Sequence, residues 1–260
     1  MSYWQAVLLG LVQGVTEFLP VSSDGHLALV GILARVQTPG VFVEVALHVA
    51  TLGSVLVVYG RRFAEITIGT FGRRPDALRF AGLLILATVP GVVLGVLFHD
   101  VVGRAFDSLL FVGVAFLVTG LMLWSTRRRG GGERVPSPRG AVVIGLAQAF
   151  AILPGISRSG STVTAGLWLG LSPVWAVEFS FLMAIPIIAG AAVFEARDVG
   201  VDIAAVGAAP LAVSCAVAFI AGILSIRLLV WLVQRGRFHA FAPYCWAVGA
   251  FTIAYALWRA

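Results

Sequence analysis

The hydrophobic pattern along the chain divides into six long apolar runs and two interrupted regions. The long runs cover approximately residues 42–60, 79–98, 106–124, 173–194, 209–230 and 240–258. Each run is close to the roughly 20 residues that a helix needs to cross about 30 Å of hydrocarbon. The pattern therefore predicts about six transmembrane helices.

The two interrupted regions, 4–34 and 141–170, have a different pattern. Each consists of two apolar arms of about a dozen residues, too short to span a bilayer, separated by Pro, Ser and Gly. Broken helices are tolerated at membrane depth only where they face protein or a wet cavity. We therefore expect two re-entrant helical hairpins whose tips meet near the middle of the membrane.

Composition supports a membrane protein and excludes a soluble domain. The 260 residues are 60% hydrophobic and only 12% charged, which is typical of an all-α integral membrane protein. A net charge of +6 is also found in nucleic-acid-binding proteins. Here, however, every basic residue is an arginine and most lie at the ends of apolar runs, so we interpret them as topology signals and expect no nucleic-acid partner.

The arginine distribution predicts the orientation of the helices, because cytoplasmic loops carry an excess of basic residues. The segments expected to be cytoplasmic contain Arg61, Arg62, Arg73, Arg74 and Arg79, then Arg127, Arg128, Arg129, Arg134 and Arg139, then Arg227, Arg235 and Arg237. The first hairpin then enters from outside and the second from inside. We predict a single membrane domain of two inverted-topology repeats. Their bounds are 1–125 with hairpin 4–34 and 140–260 with hairpin 141–170, joined by a cytoplasmic linker over 126–139.

Two polar segments, one in each hairpin, resemble each other. The residues that recur at one constant spacing are Gln13 and Gln148, Ser22 and Ser157, and Gly25 and Gly160. Polar and ionisable residues at membrane depth mark functional sites by default. The two segments are therefore expected to build one site together.

The second segment has the features of an anion site. Ser157, Arg158 and Ser159 follow Pro154 and precede an apolar helical run, as Ser22 and Ser23 do in the first hairpin. Helix N-termini present free N–H groups and the positive end of the helix dipole. Arg158 adds a forked, permanently charged donor, and further hydroxyls come from Ser157, Ser159, Ser161 and Thr162. A carboxylate also fits such a site, but this density of donors favours phosphate.

The first segment supplies the groups that phosphoryl transfer requires. Glu17 lies four residues after Gln13, so both project from one helix face and offer oxygens to magnesium or calcium, with Asp24 as a further candidate ligand. His26 is a candidate base or acid. Ser23 is a candidate nucleophile. Phosphate, cation, base and nucleophile at one buried point favour phosphoryl transfer.

Two motifs resemble those of the undecaprenyl-diphosphatases, the bacitracin-resistance phosphatases. QGVTEFLPVSSDGH resembles their (E/Q)xxxE motif followed by Pro-Val-Ser-Ser-x-Gly-His, and PGISRSGST resembles their PGxSRSxxT motif. The resemblance extends over essentially the whole chain. It implies a hydrolase of the bacterial cytoplasmic membrane that removes the terminal phosphate of undecaprenyl diphosphate and so recycles the lipid carrier of cell-wall synthesis. It also implies a divalent cation and an active site that opens to the extracytoplasmic side.

The resemblance assigns roles by position. It places the acidic motif on Gln13 and Glu17, the nucleophile on Ser23, the catalytic histidine on His26 and the phosphate-binding arginine on Arg158. Ser157, Ser159 and Thr162 complete the second motif. The chain departs from the familiar pattern at Asp24, where Ser or Thr is usual, and Asp24 is expected either to bind the cation or to orient His26.

Several alternatives remain open at this point. Attack by Ser23 with His26 as the base, attack by His26 itself and direct attack by water all fit the same residues. Ser22 is expected to be only a helix cap. His48 suits a structural hydrogen bond as well as a role in the site. A transporter or flippase of an anionic polyprenyl phosphate is the alternative function, because broken helices in inverted repeats are typical of transporters.

Overall fold

The computed structural model describes residues 1–33, 41–106, 108–128, 131–132, 134–195 and 206–259. These residues form α-helices and two short 3-10 helices, Thr126–Arg128 and Phe238–Phe241, and contain no β-strand. The α-helices in chain order are α1 Tyr3–Thr16, α2 Ser23–Leu33, α3 Val41–Phe71, α4 Pro75–Leu97, α5 His99–Phe106, α6 Leu109–Ser125, α7 Pro138–Phe150, α8 Arg158–Trp168, α9 Pro173–Glu195, α10 Ala208–Gln234 and α11 Ala242–Arg259. The predicted all-α class is confirmed.

Six helical segments of the described chain are long and apolar enough to cross a membrane. They are Phe42–Phe71, Pro75–Leu97, Leu109–Arg128, Pro173–Gly190, Ala208–Gln234 and Phe238–Arg259. Each corresponds to one of the six apolar runs, so the number and order of the predicted spans are confirmed.

Five arginines expected in cytoplasmic loops lie inside α-helices instead. Arg61 and Arg62 belong to α3, Arg79 to α4, Arg139 to α7 and Arg227 to α10. The 31 residues of α3 extend about 46 Å at 1.5 Å per residue, well beyond the hydrocarbon thickness. The helix therefore continues past its apolar run, and its last turns carry charged side chains. Arg35, Arg129 and Arg197 lie outside the described residues.

Besides the eight-residue α5, four of the described α-helices are too short to span, and they form the two predicted pairs. Helices α1 and α2 have 14 and 11 residues, and α7 and α8 have 13 and 11. Helix α1 ends before Pro20 and α7 ends before Pro154, as expected for a residue that cannot continue a helix. Re-entry of each pair from one side of the membrane stays a prediction, and residue 34 of the first hairpin lies outside the described residues.

Each short pair packs against a long helix of the other half of the chain. Helix α1 lies against α10 so closely that a Cβ atom at Gly10 would be 2.3 Å from the carbonyl oxygen of Ser214. Helix α7 lies against α4 in the same way, with a Cβ atom at Gly145 falling 2.4 Å from the carbonyl oxygen of Ala87. Small residues permit such close helix packing in membranes. Each half of the chain thus packs a short helix against a long helix of the other half. This arrangement is compatible with inverted repeats over 1–125 and 140–260 and a linker over 126–139, which stay a prediction.

Candidate active site

The turns that join the helices of each pair contact each other. Ser22, immediately before α2, adopts a left-handed backbone conformation with φ of 66°. Its hydroxyl accepts a hydrogen bond from the Gly25 N–H at 3.4 Å, which is the predicted capping role, and another from the Gly155 N–H at 3.2 Å. Ser22 therefore links the start of α2 to the turn before α8.

Gly155 holds the second turn tightly against α6. Its carbonyl oxygen accepts a hydrogen bond of 2.9 Å from the Thr119 hydroxyl, which in turn accepts one of 3.1 Å from the Ser157 N–H. Gly155 has φ of 92°, and a Cβ atom there would lie 2.6 Å from the Val112 carbonyl oxygen. A residue with a side chain fits neither the conformation nor the space.

We expect Gly155→Ala to lower the thermal unfolding temperature in detergent markedly more than Gly170→Ala does. Both glycines have positive φ, 92° and 86°, but an added Cβ at Gly170 meets no atom within 4 Å. Gly170→Ala therefore costs only backbone strain, on the order of 1 kcal/mol or more, whereas Gly155→Ala adds a steric clash. Equal losses in the two variants would mean that the turn can move away from α6.

Glu17 is the centre of the site. Its Oε2 accepts a hydrogen bond of 2.7 Å from the Ser23 hydroxyl and one of 3.1 Å from Nε2 of Gln13. Its Oε1 accepts a short hydrogen bond from Nη2 of Arg158, across the contact between the two turns. All three partners were predicted as site residues, and the structure brings them together on one buried carboxylate.

Arg158 compensates the charge of Glu17 and keeps a donor free. The Arg158 side chain is 16% exposed and that of Glu17 only 4%, so the two charges lie away from water, where an unpaired charge is costly. Nη1 of Arg158 is buried and has no hydrogen-bond partner among the described residues. A guanidinium that donates to a carboxylate through one nitrogen and has a second nitrogen without a partner is suited to binding an oxyanion.

The serine hydroxyls at the start of α8 already have partners within the protein. The Ser157 hydroxyl caps α8 by accepting from the Gly160 N–H at 3.0 Å. The Ser159 hydroxyl lies 3.2 Å from that of Ser157 and donates to the Leu19 carbonyl at 3.3 Å. These contacts stabilise the turn and tie it to the first hairpin.

Thr162 has a similar arrangement. Its hydroxyl donates to the Arg158 carbonyl at 2.8 Å and lies 2.6 Å from the Ser180 hydroxyl of α9. Phosphate binding by Ser157, Ser159 and Thr162 stays a prediction. In the described structure, the hydrogen bonds of these residues stabilise the turn and the helix that carry Arg158.

Ser23 and His26 are not hydrogen-bond partners in the described structure, as a nucleophile and its base would be. The Ser23 hydroxyl donates to Glu17 instead. Nδ1 of His26 lies 2.7 Å from the Ser22 carbonyl, and Nε2 lies 2.8 Å from the hydroxyl of Tyr244. Because a carbonyl only accepts, Nδ1 carries a proton and Nε2 faces Tyr244.

His48 is brought into the site from α3. Its Nε2 lies 3.7 Å from Oε2 of Glu17 and 3.8 Å from Oδ1 of Asp24. Its Nδ1 lies 2.8 Å from the Glu44 carbonyl, to which it must donate. The sequence left the role of His48 open, and the structure places its free nitrogen toward both carboxylates. Asp24 thus lies beside His48, and the described residues contain no hydrogen bond or ion pair between Asp24 and His26.

Gln13 contributes an unsatisfied oxygen beside Glu17. Its Oε1 is buried without a hydrogen-bond partner among the described residues, and amide and carboxylate oxygens are ligands for hard cations. The described part of the chain contains no group of three or more His, Cys, Asp or Glu placed to hold a metal ion. The oxygens of Gln13 and Glu17 suit a cation such as magnesium, which binds through one or two carboxylates and completes its shell with water and substrate phosphates.

Comparison with known proteins assigns the chain to a family. The family model described as bacitracin resistance protein BacA matches residues 6–251. An undecaprenyl-diphosphatase of Desulfosudis oleivorans is 41% identical over 96% of this chain and 97% of its own length. One from Syntrophotalea carbinolica is 40% identical over 98% and 99%, and one from Alkaliphilus metalliredigens is 38% identical over 99% and 100%. The chain therefore belongs to the bacitracin resistance protein BacA family.

Proposed function

We propose that this protein is an undecaprenyl-diphosphatase, which hydrolyses undecaprenyl diphosphate to undecaprenyl phosphate and inorganic phosphate. The similarity to proteins of that name covers nearly the whole chain. The observation that carries the proposal is the buried group of Ser23, Glu17 and Arg158. It combines a hydroxyl, a proton acceptor and a forked cation at the contact between two polar turns.

The first step of the proposed reaction is attack by Ser23. Its Oγ bonds to the terminal phosphorus while the phosphoanhydride bond breaks, and undecaprenyl phosphate leaves. Glu17 takes the Ser23 proton, since its Oε2 already accepts that hydrogen bond at 2.7 Å. Arg158 binds the oxygens on which negative charge accumulates. This pairing replaces the expected one, in which His26 activates Ser23.

The second step releases the phosphate. Water attacks the phosphoserine, the P–O bond to Ser23 breaks, and Ser23 recovers its proton from Glu17. His26 lies three residues after Ser23 on α2, so both residues project from the same side of the helix. We assign the proton of the attacking water to Nε2 of His26, because Nδ1 is committed to the Ser22 carbonyl.

A divalent cation, magnesium or calcium, is part of the proposal. Gln13 and Glu17 would hold it, with Asp24 as a further ligand at the edge of the site. The cation would neutralise charge on the diphosphate and orient it. The orphaned oxygen of Gln13 is the feature of this chain that supports such a ligand set.

The proposed location is the bacterial cytoplasmic membrane, with the site open to the extracytoplasmic side and the prenyl chain in the bilayer. The six apolar helices support a multi-pass protein. Large apolar side chains such as Ile85, Val96 and Leu224 are more than half exposed on them, as expected for surfaces in contact with lipid.

Phosphate release by purified protein in detergent tests the proposal. We expect release from undecaprenyl diphosphate with magnesium or calcium, little release with a chelator, and none from undecaprenyl phosphate, which has no phosphoanhydride bond. Ser23→Ala and His26→Ala should each lose most of the activity. Folded wild-type protein that binds the lipid without releasing phosphate would contradict the enzyme and favour a transporter.

A further inference from the structure

Tyr244 is a partner of the site that lies outside both sequence motifs. It belongs to α11, and its hydroxyl lies 2.8 Å from Nε2 of His26. The two rings are nearly parallel, with an interplanar angle of 2° and centroids 5.7 Å apart. Tyr244 is 47% exposed, whereas His26 is 8% exposed. The tyrosine is therefore much more accessible than the histidine that it contacts.

The surroundings of His26 leave Tyr244 as the only polar group that holds Nε2 in the described structure. Phe116 packs edge-on against the imidazole with a centroid distance of 5.1 Å, and the Ser22 carbonyl occupies Nδ1. The hydroxyl of Tyr244 can donate to a bare Nε2 and can accept from a protonated one. Nε2 has one lone pair, so it takes up a proton only when this hydroxyl turns from donor to acceptor. The hydroxyl then still partners the same nitrogen, and the imidazole ring keeps its orientation.

Building on the proposed function, we propose that Tyr244 is a positioning residue for His26, whose hydroxyl fixes Nε2 as the proton-exchanging nitrogen and holds the imidazole in its working orientation. Neither of the two hydrogen bonds of His26 alone fixes the orientation of the imidazole. The bond from Nδ1 to Ser22 fixes one edge of the ring, and the bond from Tyr244 fixes the opposite edge. The nitrogen that a partner holds determines which tautomer a histidine presents.

Tyr244→Phe removes only the hydroxyl and keeps the stacked ring. We expect kcat for phosphate release to fall about 10-fold, the loss expected for one hydrogen bond of about 1.4 kcal/mol. KM should change less than about 2-fold, because in the described structure Tyr244 makes no hydrogen bond to Glu17 or Arg158. Tyr255→Phe is the matched control. It makes the same change on the same helix, at a ring that stacks on Phe251 instead.

A spectroscopic readout separates this role from a merely structural one. The chain has four histidines, so the ring nitrogens of a histidine-labelled sample in detergent can be assigned by NMR with the help of His26→Ala. In the wild type, Nδ1 of His26 should be protonated and Nε2 should be bare and hydrogen-bonded. In Tyr244→Phe the Nε2 resonance should shift, while in Tyr255→Phe it should not.

Each outcome is decisive. An unchanged Nε2 resonance or an unchanged kcat in Tyr244→Phe would overturn the positioning role. If that variant does not fold, the wild-type spectrum decides, because a protonated Nε2 beside a bare Nδ1 contradicts the proposal. Absence of phosphate release by the wild type would instead remove the proposed function, and the role of Tyr244 with it, whatever the nitrogen spectrum shows.

Discussion

Replacing Arg158 with alanine is expected to abolish phosphate release and also to destabilise the protein. The variant loses the donors that would stabilise charge on the transferred phosphate, and a positioned arginine contributes about 10³- to 10⁵-fold to such reactions. It also leaves the buried Glu17 carboxylate without its arginine. Breaking a buried ion pair from one side costs about 3–5 kcal/mol. Activity assays and thermal unfolding in the same detergent measure the two effects.

Arg62→Ala is the matched control, because Arg62 also makes an ion pair with a residue of a distant helix. Its Nε lies 2.9 Å from Oε1 of Glu178, and its guanidinium lies over the rings of Phe80 and Trp175. The Arg62 side chain is 35% exposed, so the loss of stability should be smaller. Phosphate release should persist, since the described partners of Arg62 are not residues of the site.

Arg158→Lys distinguishes charge from geometry. Lysine keeps the positive charge beside Glu17 but has no planar fork with which to bind carboxylate and phosphate together. We expect stability close to the wild type and activity reduced by at least about 10²-fold, comparable to the loss of one transition-state donor. Full activity in this variant would show that Arg158 acts only as a counter-charge.

The fold was largely predictable because two simple constraints dominate it. Hydrocarbon thickness sets the length of a spanning helix, and the apolar runs of the chain correspond to its six long helices. Proline ends short helices, so Pro20 and Pro154 identified the two turns. The ends of α3 were less predictable, because Arg61 and Arg62 can continue a helix beyond the bilayer as readily as they can form a loop.

The site was predictable where its residues are close in sequence. Gln13 and Glu17 lie one helical turn apart, and Ser23 follows in the same hairpin. Arg158 was found because its segment repeats the first one. Tyr244 and His48 reach the site from separate helices through tertiary packing, and a lone Tyr or His in an apolar run has no motif around it. The sequence also did not predict that Ser23 donates its hydrogen bond to Glu17 and not to His26, because this depends on side-chain directions at a tight turn.

The contact between Ser23 and Glu17 predicts that the two residues act as a unit. Ser23→Ala removes the attacking hydroxyl, and Glu17→Gln keeps the shape of the side chain but removes its capacity to take a proton. Each is expected to lower kcat by at least about 10³-fold, a loss on the scale expected when a nucleophile or its base is removed. Glu65→Gln is a control, since among the described residues Glu65 forms its ion pairs with Arg61 and Arg62 on α3.

The double variant, with both Ser23→Ala and Glu17→Gln, tests whether the two residues act in the same step. If Glu17 serves Ser23, removing both should be no worse than the more damaging single change, because residues of one catalytic unit are strongly non-additive. Losses that multiply would mean that the two act in separate steps, with Glu17 needed for the cation or for Arg158. If Ser23→Ala instead retains activity within about tenfold of the wild type, the loss is that expected for one ordinary hydrogen bond. In that case water, and not Ser23, attacks the phosphorus. Glu17 would then be expected to hold that water where the Ser23 hydroxyl now lies.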